Sequence, residues 1–278
     1  MRVSVIAPVR NEEPWIGYSV LAALPGIHDF VYAVDPTSDD GTIEILRDLQ
    51  KELGEDKIKL LLDKEFAFNP LDMQAYNHSF NACLEKMTGE AAFFLHPDMV
   101  VHNPEALLSL DPSSTAWWTN ITSYAGDFNT VITKGRGSRW KNIHLNVHGL
   151  HYYGGYGSKN EDFYYSDITG DAHDFHGSNF SRYPFQVSDS HVKISHYCEL
   201  KSYKRRYEKM KLCMTTQYAG ATALAIEEMA VHHPRVHLQP GSSKYGEFKF
   251  EKTNDPVPEV ILKYRDRFEA YTKDAVPA

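Results

Sequence analysis

Cysteine is scarce: the 278 residues contain three thiols, Cys83, Cys198 and Cys213. Their odd number and wide spacing exclude a disulfide framework and a paired-cysteine zinc knuckle, leaving them as buried or incidental thiols. No apolar run approaches the roughly 20 residues of a membrane-spanning helix, so no transmembrane segment is expected. The opening run Met1 to Pro8 is too short an apolar stretch for a signal peptide, and Arg10, Glu12 and Glu13 follow at once, so a cytoplasmic location is expected. Basic residues are also outnumbered. Lys and Arg total 29 against 37 Asp and Glu, a formal net charge of −8. That balance opposes broad attraction to anionic lipid or phosphate backbones, and it disfavours nucleic acid as a partner without excluding it. There is no internal repeat.

What the chain does contain is a folded protein's share of apolar residues, 42%, with 24% charged. It also carries 17 Tyr, 14 Phe, 4 Trp and 14 His, flat surfaces that suit bases and sugars and equally suit a packed core. The first hundred residues alternate between two periodicities. Val3–Val9, Phe30–Val34, Ile58–Leu62 and Ala91–Leu95 are short apolar runs that predict strands. Between them, Trp15–Leu24, Ile43–Leu53 and Tyr76–Met87 repeat apolar residues at helical spacing, with Asp39 or Asp40 expected to cap the second helix and Gly89 to stop the third.

Strands that are apolar on both faces and alternate with helices predict a mostly parallel, Rossmann-like α/β sheet flanked by helices. In open sheets of this kind ligands bind at the carboxyl ends of the strands. Pro8-Val9-Arg10, Asp35 and His96-Pro97-Asp98 would then converge on one crevice, each group being the first polar one after its strand. Residues 1–102 form the expected α/β half that carries this crevice. Residues 103–239, short aromatic, Gly-rich and His-rich pieces, predict loops and small strands covering it. Residues 240–278 follow a linker at Pro240-Gly241-Ser242-Ser243 as a C-terminal helical extension, and helical spacing also returns at 202–212, 221–231 and 258–273.

Asp35, at a strand end, could accept hydrogen bonds from an imide N–H or a ribose hydroxyl, or simply begin the turn Pro36 to Gly41. Asp98 is an oxygen ligand suited to Mg²⁺ or Mn²⁺, or a solvent-facing turn residue. Val3–Pro8 with Arg10-Asn11-Glu12, then Asp35–Thr42, then Phe80-Asn81 through Thr88-Gly89-Glu90 to Phe94–Asp98, resemble in order and spacing the family 2-like glycosyltransferases with the GT-A fold. The resemblance implies a nucleotide-diphosphate sugar (UDP-, GDP- or TDP-linked) as donor, bound by Pro8, Arg10, Asn11, Glu12, Asp35 and Asn81, with Asp35 on the base and Asp98 as the final Asp of an Asp-x-Asp metal motif. It implies Mn²⁺ or Mg²⁺ as cofactor and inverting transfer to an acceptor hydroxyl.

One departure stands out: His96 occupies the place of that motif's first Asp, as metal ligand, ribose contact or turn residue. Ile194–Ser202 is similar to a late His-Tyr, Lys-Ser pattern of such enzymes, which implies His196 as a further metal ligand and Lys201 as a phosphate contact. Asn160-Glu161-Asp162-Phe163 resembles the element that supplies the general base, implying Asp162, with Glu161 as competitor. The basic stretch Lys134–Lys141 suits a mobile lid over a diphosphate, and Trp117, Trp118, Tyr152, Tyr153 and Tyr156 are candidates for stacking on an acceptor. His144, His148, His151, His173 and His176 match no zinc spacing. Two alternatives stand beside transfer of a sugar: nucleotidyl transfer on the same sheet, and a nucleotide- or carbohydrate-binding module without catalysis. The acceptor, a glycan or a modified nucleobase, has no motif of its own.

Overall fold

The computed structural model describes residues 1–67, 73–125, 127–134, 139–145, 151–152, 164–166, 172–174, 187–199 and 249–272. The amino-terminal half runs β1 (Val3–Val9), α1 (Glu13–Ala23), β2 (Asp29–Val34), α2 (Thr42–Leu53), β3 (Ile58–Leu61), α3 (Met73–Lys86) and β4 (Ala91–Phe94). Each of these elements falls where the sequence periodicity predicts it. β1 pairs in parallel with β2 and with β4, and β2 with β3, so the spatial order is β4-β1-β2-β3. The strand order reverses beside β1, the arrangement that opens a crevice at the carboxyl ends.

These strands are apolar on both faces because helices cover both. Val3, Val5, Ala7 and Val9 of β1 join Phe30, Tyr32 and Val34 of β2 in one core, with Trp15 and Ile16 of α1 and Ile45, Leu46 and Leu49 of α2. The intervening Ile6, Val31, Ala33, Ala92 and Phe94 face the opposite way, onto Phe80, Cys83, Leu84 and Met87 of α3. Burying each such aliphatic side chain contributes about 1.5–3 kcal/mol, so the 3.6-residue stripe of α2 is what seats it. That helix ends at Gly54, whose φ of 97° is the left-handed conformation that favours glycine. Gly41 rather than an aspartate stands at its N-cap position, but Asp40, one residue earlier, accepts the Thr42 N–H at 3.0 Å.

At the amino edge of the sheet lies a buried polar knot. Asp29 accepts hydrogen bonds from Lys59 Nζ at 2.6 Å, from Thr88 Oγ1 at 2.8 Å and from Ser4 Oγ. The Gly89 N–H donates to Ser4 Oγ at 2.8 Å. Gly89 is there for close approach and does not cap α3: a Cβ on it would lie 2.6 Å from Ser4 Oγ and 2.8 Å from the Arg2 carbonyl oxygen.

Beyond β4 the described residues include, besides the small strands expected, longer ones that continue the sheet. β5 (Met99–Val101), β6 (Ala116–Ala125), β7 (Thr130–Lys134), β8 (Arg139–Leu145), β12 (Val187–Glu199) and β13 (Lys249–Lys252) extend the same sheet to ten strands in the order β13-β7-β6-β8-β4-β1-β2-β3, with β12 pairing β5 and β6. The extension is largely antiparallel, so the sheet is parallel in its central strands and mixed beyond them. Alternating burial explains β12: Val192 and Ile194 point inward while His191 and Lys193 are exposed. Strands β9 (His151–Tyr152), β10 (Tyr164–Ser166) and β11 (Ala172–Asp174) form a separate small antiparallel sheet. At the carboxyl terminus the helical spacing resolves into α4 (Glu259–Lys263) and α5 (Arg265–Thr272), with Phe268 edge-on to Tyr18 at 4.9 Å. The helices predicted at 202–212 and 221–231, and the linker at 240–243, lie outside the described residues. Among the described residues no helix is long and apolar enough to cross a membrane.

Candidate functional site

Two groups of polar side chains line the carboxyl edge of the central strands. The first is built by the turns after β1 and β2. Pro8, still within β1, pairs in register with Ala33 and leads to Arg10, whose Nε lies 3.4 Å from Asp35 Oδ2. Asp35, buried to 1% exposure, donates its N–H to the Val9 carbonyl oxygen at 2.9 Å. Its Oδ1 accepts from both the N–H and the hydroxyl of Thr37, each at 2.7 Å. That turn holds the carboxylate at the strand end with Oδ2 toward Arg10.

The two turns also clasp each other. Asn11 takes φ 52°, a left-handed conformation that asparagine tolerates, and its Oδ1 accepts the Asp39 N–H at 2.9 Å. Glu12 is buried at the start of α1, where its carbonyl oxygen accepts from Trp15 and Ile16 and its N–H donates to Thr42 Oγ1 at 2.8 Å. Glu13 Oε2 accepts the Gly41 N–H at 2.8 Å. Asn81 stands half-buried on α3, next to Phe80, which packs on Phe94 of β4 at 5.4 Å between ring centres.

The second group joins the two halves of the chain. His96 and Asp98 lie in the turn from β4 to β5, closed by the Met99 N–H donating to the His96 carbonyl oxygen at 3.0 Å. β12 runs antiparallel to β5 with His196 opposite Met99, and the Tyr197 N–H donates to the Asp98 carbonyl oxygen at 2.9 Å. This register sets His196 Nε2 3.4 Å from Asp98 Oδ1, with both side chains buried. Trp140 of β8 completes the group. Its ring meets His96 at 5.7 Å and His196 at 5.5 Å between centres, edge-on to both at 74° and 69°.

Sequence reasoning placed Trp140 in a mobile lid; in the structure it is a strand residue between β4 and β6, and the lid expectation is corrected for residues 139–141. A register shift between Trp117 and Trp118 leaves Asn142 as an extra residue of β8, so Trp140 shares a face with Ile143 against the main core while His144 lies on the other, and no simple alternation in the sequence marked the strand. Thr119 Oγ1 donates to Asn142 Oδ1 at 2.8 Å, and His144 packs edge-on to Phe94 at 5.5 Å. Trp117 is fully buried in the core and cannot stack on an acceptor, whereas half-buried Trp118 lies under the Arg139 guanidinium at 5.7 Å. Glu161, Asp162, Lys201, Tyr153 and Tyr156 fall outside the described residues.

Asp98 and His196 fit one face of a divalent cation. Two ligands at about 2.1 Å from a common ion sit roughly 3–3.5 Å apart, the separation found here. Among the described residues no group of three or more His, Cys, Asp or Glu side chains comes together to hold a metal ion.

No protein-family model matches the sequence, and no curated protein matches it. Among solved structures the chain is similar to Staphylococcus aureus TarS 1–349, with a TM-score of 0.44 at 12% identity, covering 100% of this chain and 81% of that one. The same protein in complex with UDP-GlcNAc gives a TM-score of 0.44 at 13% identity, over 88% of this chain and 77% of that one. A further TarS structure gives 0.42 at 16% identity, over 88% of this chain and 44% of that one. Likenesses of this size assign neither family nor activity.

Proposed function

We propose that this protein is a glycosyltransferase that binds a nucleotide-diphosphate sugar across the carboxyl ends of β2, β1 and β4 and passes the sugar to an acceptor hydroxyl by a single, inverting displacement. The observation that carries the reading is the pair of buried carboxylates, Asp35 and Asp98, at the ends of strands separated by one neighbour, on the edge where the strand order reverses. Two strand spacings amount to about 10 Å, the reach from a base across a ribose to its diphosphate.

Asp35 Oδ2, steered by Arg10, accepts an N–H of the base or a ribose hydroxyl. Pro8, Arg10, Asn11, Glu12 and Asn81 line or brace that end of the donor site. Asp98 and His196 would hold Mn²⁺ or Mg²⁺, which when bound neutralises the charge that develops on the departing diphosphate. Lys201 belongs to the same phosphate end in this reading, and Asp162, or Glu161 beside it, takes the proton of the attacking hydroxyl. The acceptor is a glycan or a modified nucleobase, with UDP-, GDP- or TDP-linked sugar as donor.

The test is slow hydrolysis of each sugar nucleotide with and without Mn²⁺, in the wild type and in Asp98→Ala. Metal-dependent sugar release that is lost in the variant supports the reading. Pyrophosphate release from a nucleoside triphosphate would mark a nucleotidyltransferase instead. Metal-independent ligand retention without sugar release would mark a binding module.

A further inference from the structure

Three hydrogen-bonding side chains from neighbouring strands meet on the extended part of the sheet. Arg139 of β8 is paired in register with Asn120 of β6, and Asp189 of β12 lies across from Trp118 on the other side of β6. Arg139 Nη2 donates to Asp189 Oδ2 at 2.7 Å, and Asn120 Nδ2 reaches Asp189 Oδ1 at 3.5 Å. The guanidinium also lies over the Trp118 ring at 5.7 Å, so Arg139 is held from two sides. Asp189 is held in turn by the His191 N–H, which donates to its Oδ1 at 2.7 Å. This turn is a bulge: β12 shifts register between Asp189 and Lys193, and His191 takes a left-handed φ of 58° with its own side chain in water. The His191 side chain adds no packing there, and what the bulge does is turn Asp189 toward Arg139.

The group faces solvent, with 48% of the Arg139 side chain and 32% of the Asp189 side chain exposed. A guanidinium has five N–H donors, and among the described residues Asp189 takes one of them. The two charges offset each other. Lys193, opposite Asn120 in the register, adds one exposed cation, too few for a polyanion, whose binding draws on several phosphate contacts. Planar donors and acceptors side by side, with little net charge, suit the hydroxyl groups of a sugar. Val187, 38% exposed and on the same face of β12 as Asp189, offers an apolar surface to its C–H groups. Two strand spacings give the group a span of about 10 Å, closer to a disaccharide than to one ring.

We propose that Arg139, Asp189 and Asn120 form a binding strip for a neutral glycan chain, gripping its hydroxyl groups on the sheet outside the crevice. Successive side chains of a strand point to opposite faces, so Arg139 faces away from the Trp140 ring that meets His96 and His196, and the strip is a site apart from the donor site. Because Arg139 and Asp189 are already fixed, little side-chain freedom is lost when a sugar binds. What the grip is for rests on the glycosyltransferase reading above: a chain held here keeps its end at high local concentration near the crevice, and the acceptor is then a glycan rather than a modified nucleobase. The grip itself does not depend on that reading.

The test is electrophoresis of the full chain through native gels that contain neutral polysaccharides of glucose, mannose, galactose or N-acetylglucosamine, with a cooperative thermal melt as the fold control. At least one polysaccharide is expected to retard the wild type, and free oligosaccharide of the same sugar, but not UDP, to release it. Losing one hydrogen-bonding side chain is worth roughly tenfold, so Arg139→Ala and Asn120→Ala should each weaken retention about tenfold. Asn120 makes only the 3.5 Å contact to Asp189, so Asn120→Ala decides should Arg139→Ala fail to fold. A wild type that none of the polysaccharides retards, or folded variants retarded as strongly as the wild type, would overturn the proposal. Retention by DNA or an anionic polysaccharide alone, lost on adding salt, would overturn it in favour of a polyanion surface. Retention in a protein that hydrolyses no sugar nucleotide would leave the strip standing and overturn the glycosyltransferase reading instead.

Discussion

Replacing Asp29 by alanine removes the acceptor for Ser4, Lys59 and Thr88 at once, at the edge of the sheet remote from the candidate site. Truncating one member of a buried ion pair costs about 3–5 kcal/mol. Lys59 keeps 23% of its side chain exposed and can turn to water, which puts the loss at the lower end, about 3 kcal/mol. At about 2–4 °C per kcal/mol for a chain of this size class, the apparent melting temperature should fall by roughly 6–12 °C.

The pH dependence has a definite sign. Burial pushes the Asp29 carboxyl upward, but the hydrogen bonds from Lys59, Ser4 and Thr88 and the Lys59 charge outweigh it and leave it below the usual carboxylate range. A carboxyl depressed in the folded state stabilises fully above its unfolded value and loses that contribution as pH falls through the folded one. Thermal melts of wild type and Asp29→Asn should therefore differ by a constant amount near neutrality and converge below about pH 4. Nucleotide binding should not change. A melting temperature within 1 °C of wild type for Asp29→Ala, on the order of the error of such a melt, would refute the reasoning, as would a gap that persists into acid.

Three further outcomes are expected. Asp35→Asn keeps an oxygen for Thr37 but loses the charge facing Arg10, and isothermal titration should show UDP bound about 10- to 100-fold more weakly, with the metal-free melting temperature little changed. Gly89→Ala forces a Cβ against Ser4 and the Arg2 carbonyl and should cost about 1–3 kcal/mol in chemical denaturation; a neutral result would mean that the strand edge yields easily. Cys83 is buried between α3 and the sheet, and burial pushes its thiol up to about 12, so maleimide labelling mapped by mass spectrometry at pH 8 should miss it in the native protein and reach it only on unfolding.

The sequence alone determined the β4-to-β1 half of this protein. There each strand is apolar on both faces, each helix carries one stripe, and turns rich in Asp, Asn and Gly punctuate them, so local periodicity and global packing agree. It also marked Asp35 and Asp98, because a polar group right after an apolar strand must lie at a sheet edge. It did not mark Asp29, an equally buried aspartate at the start of β2, because its partners Ser4, Lys59 and Thr88 arrive from other segments of the chain. It read 103–239 as loops and small strands covering the crevice, because polar residues interrupt β6 and β8 often enough to hide their period of two.

Only the tertiary structure decided that His196 stands 3.4 Å from Asp98, through an antiparallel pairing of strands nearly a hundred residues apart. Only it placed Trp140 beside both His96 of the β4–β5 turn and His196 of β12. Both are contacts between distant segments, and sequence spacing carries no record of a neighbour that arrives from across the sheet.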